Sequence, residues 1–220
     1  RIIKIIFAVM ILSLSSCIED NITPPLTGEL NPVAEMLYYF ESQGDFANND
    51  IAPALVEAAE VYLNLNTFLI IDIRSRDDYL SGHIENSANV GIDSLFYFVD
   101  KNFNSGYPKI VLVSKNGQSS AYFCCLLRLA GFNNVFAMNF GMASWNDFFA
   151  LEWLSALGDY GGISNFTDST FSKNDYTSLP QVSFEKPNDP IDKRVKRRVK
   201  EFILKGFNNG KQYLPTLESL

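Results

Sequence analysis

Three short runs constrain this chain more than any other feature: TFLIIDIR at 67–74, KIVLVS at 109–114 and NVFAMN at 134–139. Each is almost continuously apolar. Such runs predict strands buried on both faces rather than strands with one wet face. Helix-like runs alternate with them: DSLFYFVDKN at 93–102, with Asp93 as a cap, and Ser119–Leu129, ended by Ala130-Gly131. A further short strand, SANVG at 87–91, lies between the first two. Repeated β–α units with strands of this kind imply an α/β fold, in which a parallel sheet is joined by right-handed crossovers and covered by helices on both faces.

The flanks read differently. VAEMLYYFESQ puts Val33, Met36, Leu37 and Phe40 on one helical face. NNDIAPALVEAAEVYLN reads as a helix capped by Asp50, with Pro53 in its first turn. GMASWNDFFALEWLSALG, 141–158, opens a longer helical region. The chain then turns polar and rich in turn formers. It recovers a helical pattern at DKRVKRRVKEFILKGF, 192–207, where Asp192 suits the N-cap and Gly206 the end. There Val195, Val199, Phe202 and Ile203 form an apolar stripe.

The first residues, RIIKIIFAVMILSLSSC, carry Arg1 and Lys4, an apolar stretch and then small residues before Cys17. That is the layout of an export signal. Leu14-Ser15-Ser16-Cys17 resembles a bacterial lipobox, which implies a lipid-bearing Cys17 at a new N-terminus. Acyl chains contribute about 0.8 kcal/mol per buried CH2, so several of them anchor a protein. A plain signal peptide and an uncleaved anchor are the alternatives, although the apolar run is short for a span. DNITPPLTGELN, with Pro24, Pro25 and Gly28, then reads as a linker. The expected layout is a signal at 1–16, lipidated Cys17 and linker at 17–31, and a helical extension at 32–50. A central α/β domain at 51–158, a polar turn-rich segment at 159–191 and a basic amphipathic helix with its tail at 192–220 follow.

With 220 residues and 47% hydrophobic content, the chain can bury one domain plus extensions. Its net charge of −7 argues against bulk nucleic-acid binding. Cys124 and Cys125 are adjacent in the 119–129 helix. Their side chains diverge too far for a mutual disulfide, and their apolar surroundings place both in or near the core. A single histidine with two helical cysteines is poor material for a metal site, so neither metal nor cofactor is expected.

Two stretches together resemble the rhodanese-like (sulfurtransferase) domain family. IIDIRSRDDYLSGHIENSANV is similar to its first signature, with Asp72, Arg74, Asp78, Tyr79, Gly82, His83, Ile84 and Ala88 in the matching places. KIVLVSKNGQSSAYFCCLLRLAGFNNVFAMNFGMASW is similar to its second, including Gly141 and Trp145. The resemblance implies a three-layer domain. It also implies an active-site loop whose first residue is a cysteine that carries sulfur as a persulfide. Such a thiolate is stabilised by backbone N–H groups at a helix N-terminus.

The chain departs from that pattern where the chemistry sits. The loop is Ser114-Lys115-Asn116-Gly117-Gln118-Ser119-Ser120. Ser114 occupies the cysteine position, and Ser119 occupies the arginine position of the family's Cys-x-x-Gly-x-Arg-Ser. Oxygen cannot hold the persulfide, and a serine nucleophile needs an adjacent base. The expectation is a catalytically inactive, membrane-anchored domain with a binding or scaffolding role, facing the periplasm or the cell exterior. The alternative is a thiosulfate or persulfide sulfurtransferase with a non-standard nucleophile. The loop remains a candidate anion nest, since Gly117 permits a tight turn ahead of a helix. Asp72, Arg74, Gly82, His83, Gly141 and Trp145 are expected to be structural.

The C-terminal helix concentrates Lys193, Arg194, Lys196, Arg197, Arg198, Lys200 and Lys205 in an otherwise acidic chain. Three uses are open to it: docking its stripe on the domain, gripping a partner protein, or lying on anionic lipid.

Overall fold

The structure is a computed structural model. It describes residues 31–44, 54–158 and 182–207. The chain divides into two units, 1–30 and 31–220. The first lies outside the described residues, and with it the readings of the signal, Cys17 and the linker. Asp50, Pro53 and positions 159–181 and 208–220 also lie outside them.

The second unit contains α1 (Pro32–Ser42), β1 (Leu55–Val56), α2 (Ala58–Leu63), β2 (Leu69–Asp72), α3 (Arg76–Ser81), β3 (Ala88–Asn89) and α4 (Ile92–Asn102). Then come β4 (Ile110–Val113), α5 (Gln118–Leu129), β5 (Val135–Met138), a 3-10 turn (Gly141–Ser144), α6 (Asp147–Ser155) and α7 (Ile191–Lys205). The five strands form one parallel sheet in the order β1-β5-β4-β2-β3. The register sets Leu112 beside Ile71 on one side and Ala137 on the other.

The continuously apolar strands serve two cores at once. Successive side chains of a strand point to opposite faces. Ile110 and Leu112 of β4 therefore join Ile71, Val135 and Ala137 in one cluster, which α4, α5 and α7 cover with Leu95, Val99, Phe123, Leu127, Val195, Val199 and Ile203. Val111 and Val113 join Ile70, Met138, Val61 of α2 and Met142 of the 3-10 turn on the other face, with Phe149 of α6 packed alongside. The α/β architecture read from the sequence is the observed one, with helical extensions before and after it.

Several local readings are corrected. Leu55–Val56, read inside a helix, is strand β1, and the helix starts at Ala58 with Glu57 at its N-cap. Pairing with β5 overrides the helical propensity of APALVEAAEV. Asp93 is a first-turn residue of α4, whose N-cap is Gly91. α5 starts one residue earlier, at Gln118. The 141–158 region is broken: extended Asn146 ends the turn and caps α6 by accepting from the Phe149 N–H at 3.2 Å. Asp192 is a first-turn residue of α7, and Pro190 takes the N-cap.

Candidate functional site

β4 ends at Val113, and the chain turns through Ser114–Gly117 into α5. Gly117 makes this turn possible with φ +89°, in the left-handed region that glycine enters without a Cβ penalty. The Ser114 side chain points into the turn. Its Oγ accepts the N–H of Gly117 at 3.1 Å and of Ser120 at 3.3 Å, and donates to Ser120 Oγ at 3.0 Å. Ser120 Oγ in turn donates to the Gly117 carbonyl at 3.0 Å. Both hydroxyls are buried, at 2% and 0% exposure. Asn116 Oδ1 accepts the Gln118 N–H at 3.2 Å. Three amides of the candidate anion nest are thus engaged by the loop's own side chains, while Ser119 is half-buried.

The 3-10 turn straps this loop from the side. Met142 N–H donates to the Ser114 carbonyl at 2.8 Å, and Ala143 N–H to that of Lys115 at 3.0 Å. Trp145 is half-buried against the same core face as Met142. α6 then crosses above the loop. Lys115 Nζ pairs with Glu152 Oε2 at 2.6 Å, and Trp153 stacks edge-on against Phe140, with 5.6 Å between ring centroids.

The first motif builds the neighbouring wall. Asp72 is 1% exposed, and its carboxylate accepts the Arg74 backbone N–H at 3.0 Å and its guanidinium at 2.7–3.1 Å. Arg74 Nη2 also donates to the Gly82 carbonyl at 2.7 Å and lies 5.4 Å from the Phe149 ring centroid. Both carboxylate oxygens of Asp72 and the Nε and Nη2 of Arg74 are engaged inside the fold. Exposed His83 stacks on Tyr79 at 3.9 Å, with Nδ1 2.9 Å from the Tyr79 carbonyl. It is hydrogen-bonded within its own turn and makes no contact with Ser114.

The two cysteines separate. Cys124 is 2% exposed, and burial pushes its thiol up to about 12, with Cys125 adding to the rise and Arg128 opposing it. Cys125 is exposed, which corrects its placement in or near the core: adjacent helical positions lie about 100° apart, and only one can face the sheet. Among the described residues, no group of three His, Cys, Asp or Glu could hold a metal ion.

The basic helix packs against α5 and α4, on the sheet face lined by Ile110 and Leu112. Val195, Val199 and Ile203 are buried, and Phe202, expected in the same stripe, is half-buried. Arg194 is buried on Glu35 of α1 and over Phe184. Arg197 pairs with Asp189 at 2.6 Å and Arg198 with Glu201 at 3.0 Å. Lys193, Lys196 and Lys200 remain exposed, Lys196 with its ammonium 5.3 Å from the Phe132 ring.

The family model of the rhodanese-like domain matches residues 57–148, from the N-cap of α2 into α6. Those residues form a rhodanese-like domain. Among solved structures, the chain is similar to a rhodanese-related protein of Thermoplasma volcanium, at 20% identity over 41% of this chain and 87% of that one, with a TM-score of 0.32. It is similar to the human single-domain sulfurtransferase at 18% identity, over 43% and 96% of the two chains, with a TM-score of 0.36. The rhodanese-like domain of an Anabaena protein matches at 18% identity, over 59% and 98%, with a TM-score of 0.38. At scores this low, the family match alone carries the assignment. Within the rhodanese-like domain, Ser114 opens the loop that the motif comparison singled out. α6 begins inside the matched span and ends beyond it.

The cover over the loop is not apparent from motif spacing. Glu152, Phe149 and Trp153 close over the loop from a helix assigned no role. The available signal was composition: DFFALEWLS has apolar residues around the whole helix, a pattern that calls for partners on more than one side.

Proposed function

We propose that the chain is a membrane-anchored, catalytically inactive rhodanese-like domain that serves binding or scaffolding outside the cytoplasm. One observation carries the inactive part. Ser114 Oγ, at the position of the family's sulfur-carrying cysteine, is buried and accepts two amide N–H groups while donating to Ser120. The Ser114 hydroxyl is engaged by the loop's own groups, and among the described residues no base touches it to generate an alkoxide. Residues 1–17 supply the anchoring part, through their charge, apolar run and lipobox-like end.

The test is sulfur transfer from thiosulfate or a persulfide to cyanide or a thiol. The wild-type chain is expected to give none above the level of Ser114→Ala, and Ser114→Cys is expected to gain it. Turnover by the wild type that depends on Ser114, Cys124 or Cys125 overturns the inactive reading. For the anchor, Cys17→Ser should move the protein from the membrane to the soluble fraction. Retention of that variant on the membrane removes the lipidation reading.

A further inference from the structure

Docking uses the apolar stripe of α7 and leaves a second face in solvent. Lys193, Lys196, Arg197, Lys200 and Leu204 recur at spacings of three and four, so they share that face. The three lysines are exposed, and Leu204 is 48% exposed beside them. The arginines of the helix are already matched: Arg194 to Glu35, Arg197 to Asp189 and Arg198 to Glu201. Lys193, Lys196 and Lys200 form no ion pair among the described residues. Asp192 sits next to them in the first turn and leaves the face net positive.

We propose that this face lies on the anionic lipid headgroups of the membrane that carries the chain, so that docking and lipid contact are two uses of one helix. The inference deepens the membrane-anchored reading and rests on it for the presence of the bilayer. Side-chain type favours lipid over a protein partner. Protein interfaces are enriched in arginine and aromatic residues and depleted in lysine. Here the arginines turn to carboxylates of the chain itself, and the lysines face out. An ammonium acts as a point charge and needs no fixed partner geometry, which suits a fluid layer of phosphates. Each such lysine strengthens attachment to an anionic surface about fivefold. Connectivity points the same way. Arg194 ties α7 to Glu35 of α1. Only residues 18–31 separate Cys17 from Pro32 of α1, a reach of at most about 50 Å when fully extended. A tether of that length holds the lysines near the surface, where weak attraction becomes effective. The consequence is orientation: the sheet face lined by Ile110 and Leu112 turns toward the bilayer, and the face covered by Met142 and Phe149 turns away from it.

The test uses the full chain carrying Cys17→Ser, which takes no lipid at that position. Cosedimentation measures its partition into phosphatidylcholine vesicles with and without about one-third phosphatidylglycerol. The chain is expected to partition more strongly into the anionic vesicles, with an advantage that added salt reduces. Arg1 and Lys4 also respond to lipid charge, so variants isolate the share of α7. Lys193→Gln, Lys196→Gln and Lys200→Gln together should weaken partition into the anionic vesicles by about a hundredfold, while Lys→Arg at the same three positions should preserve it. Equal partition of the glutamine variant and its parent overturns the proposal, as does loss of binding in the arginine variant. Binding of the parent to polyglutamate with no gain on anionic vesicles overturns it in favour of an acidic protein partner. Fractionation of Cys17→Ser cells at high salt, where the lysines are screened, reads the lipid anchor alone. The anchor and the α7 contact can therefore fail independently.

Discussion

A Cβ on Gly141 would lie 2.2 Å from the carbonyl oxygen of Ser114 and 2.7 Å from the amide nitrogen of Gly117. Both are backbone atoms, so no side chain can swing aside to relieve the contact. Gly141 also holds φ at +55°. The strap and the loop are therefore pressed together through the one residue type that permits it.

Gly141→Ala should cost about 3 kcal/mol or more, from overpacking plus the left-handed backbone. Gly131, at φ +94° with no atom within 4 Å of a Cβ, isolates the backbone contribution. Gly131→Ala is expected to lose about 1 kcal/mol. Urea denaturation of both variants checks the ranking, which fails if they are equally destabilised.

Arg74→Ala strands the buried carboxylate of Asp72. Removing one partner of a buried pair costs about 3–5 kcal/mol, more than removing both. The double variant Asp72→Asn with Arg74→Gln should therefore unfold at higher urea than Arg74→Ala. The reverse order would show that the pair is not what stabilises the wall beside the loop.

Cys124 gives the fold an alkaline limit. Its thiol is raised to about 12 when folded and returns to about 9 when unfolded. The folded state thus binds the proton more tightly. The associated stability is complete below pH 9 and is lost between about 9 and 12, with a slope of at most about 1.4 kcal/mol per pH unit. Cys124→Ala should flatten that part of the stability-versus-pH curve. In alkylation of the native protein, Cys125 should react well before Cys124.

The basic helix is held by its apolar stripe. Ile203→Ala should cost about 2–5 kcal/mol, and Lys200→Ala less than about 0.5 kcal/mol. Added salt should leave the protection of α7 amides from hydrogen exchange nearly unchanged. A sharp loss of protection with salt would instead assign the docking to charge.

The sheet was legible because buried parallel strands write their burial into every residue: Ile110–Val113 has no polar position at all. The loop was legible because its glycine and serines keep fixed spacing between a strand and a helix. β1 was not, since two residues carry no period, and only Ala137 and Met138, some eighty positions away, decide their state. Cys124 and Cys125 were read as alike because neither differs in type; the rotation of α5 against the sheet separates them. The closure of α6 over the loop depends on where Asn146 bends the chain, which local propensity does not encode.

The pairing of Leu55 and Val56 with Ala137 and Met138 has a consequence for biosynthesis. A ribosome makes β1 before every other strand of the sheet, yet its partner leaves the tunnel last. The nascent chain must therefore hold residues 55–56 unpaired while the β2–β4 centre assembles. Closure between such distant segments is the slow kind of folding event. Any chaperone that accompanies this polypeptide meets it with that seam still open.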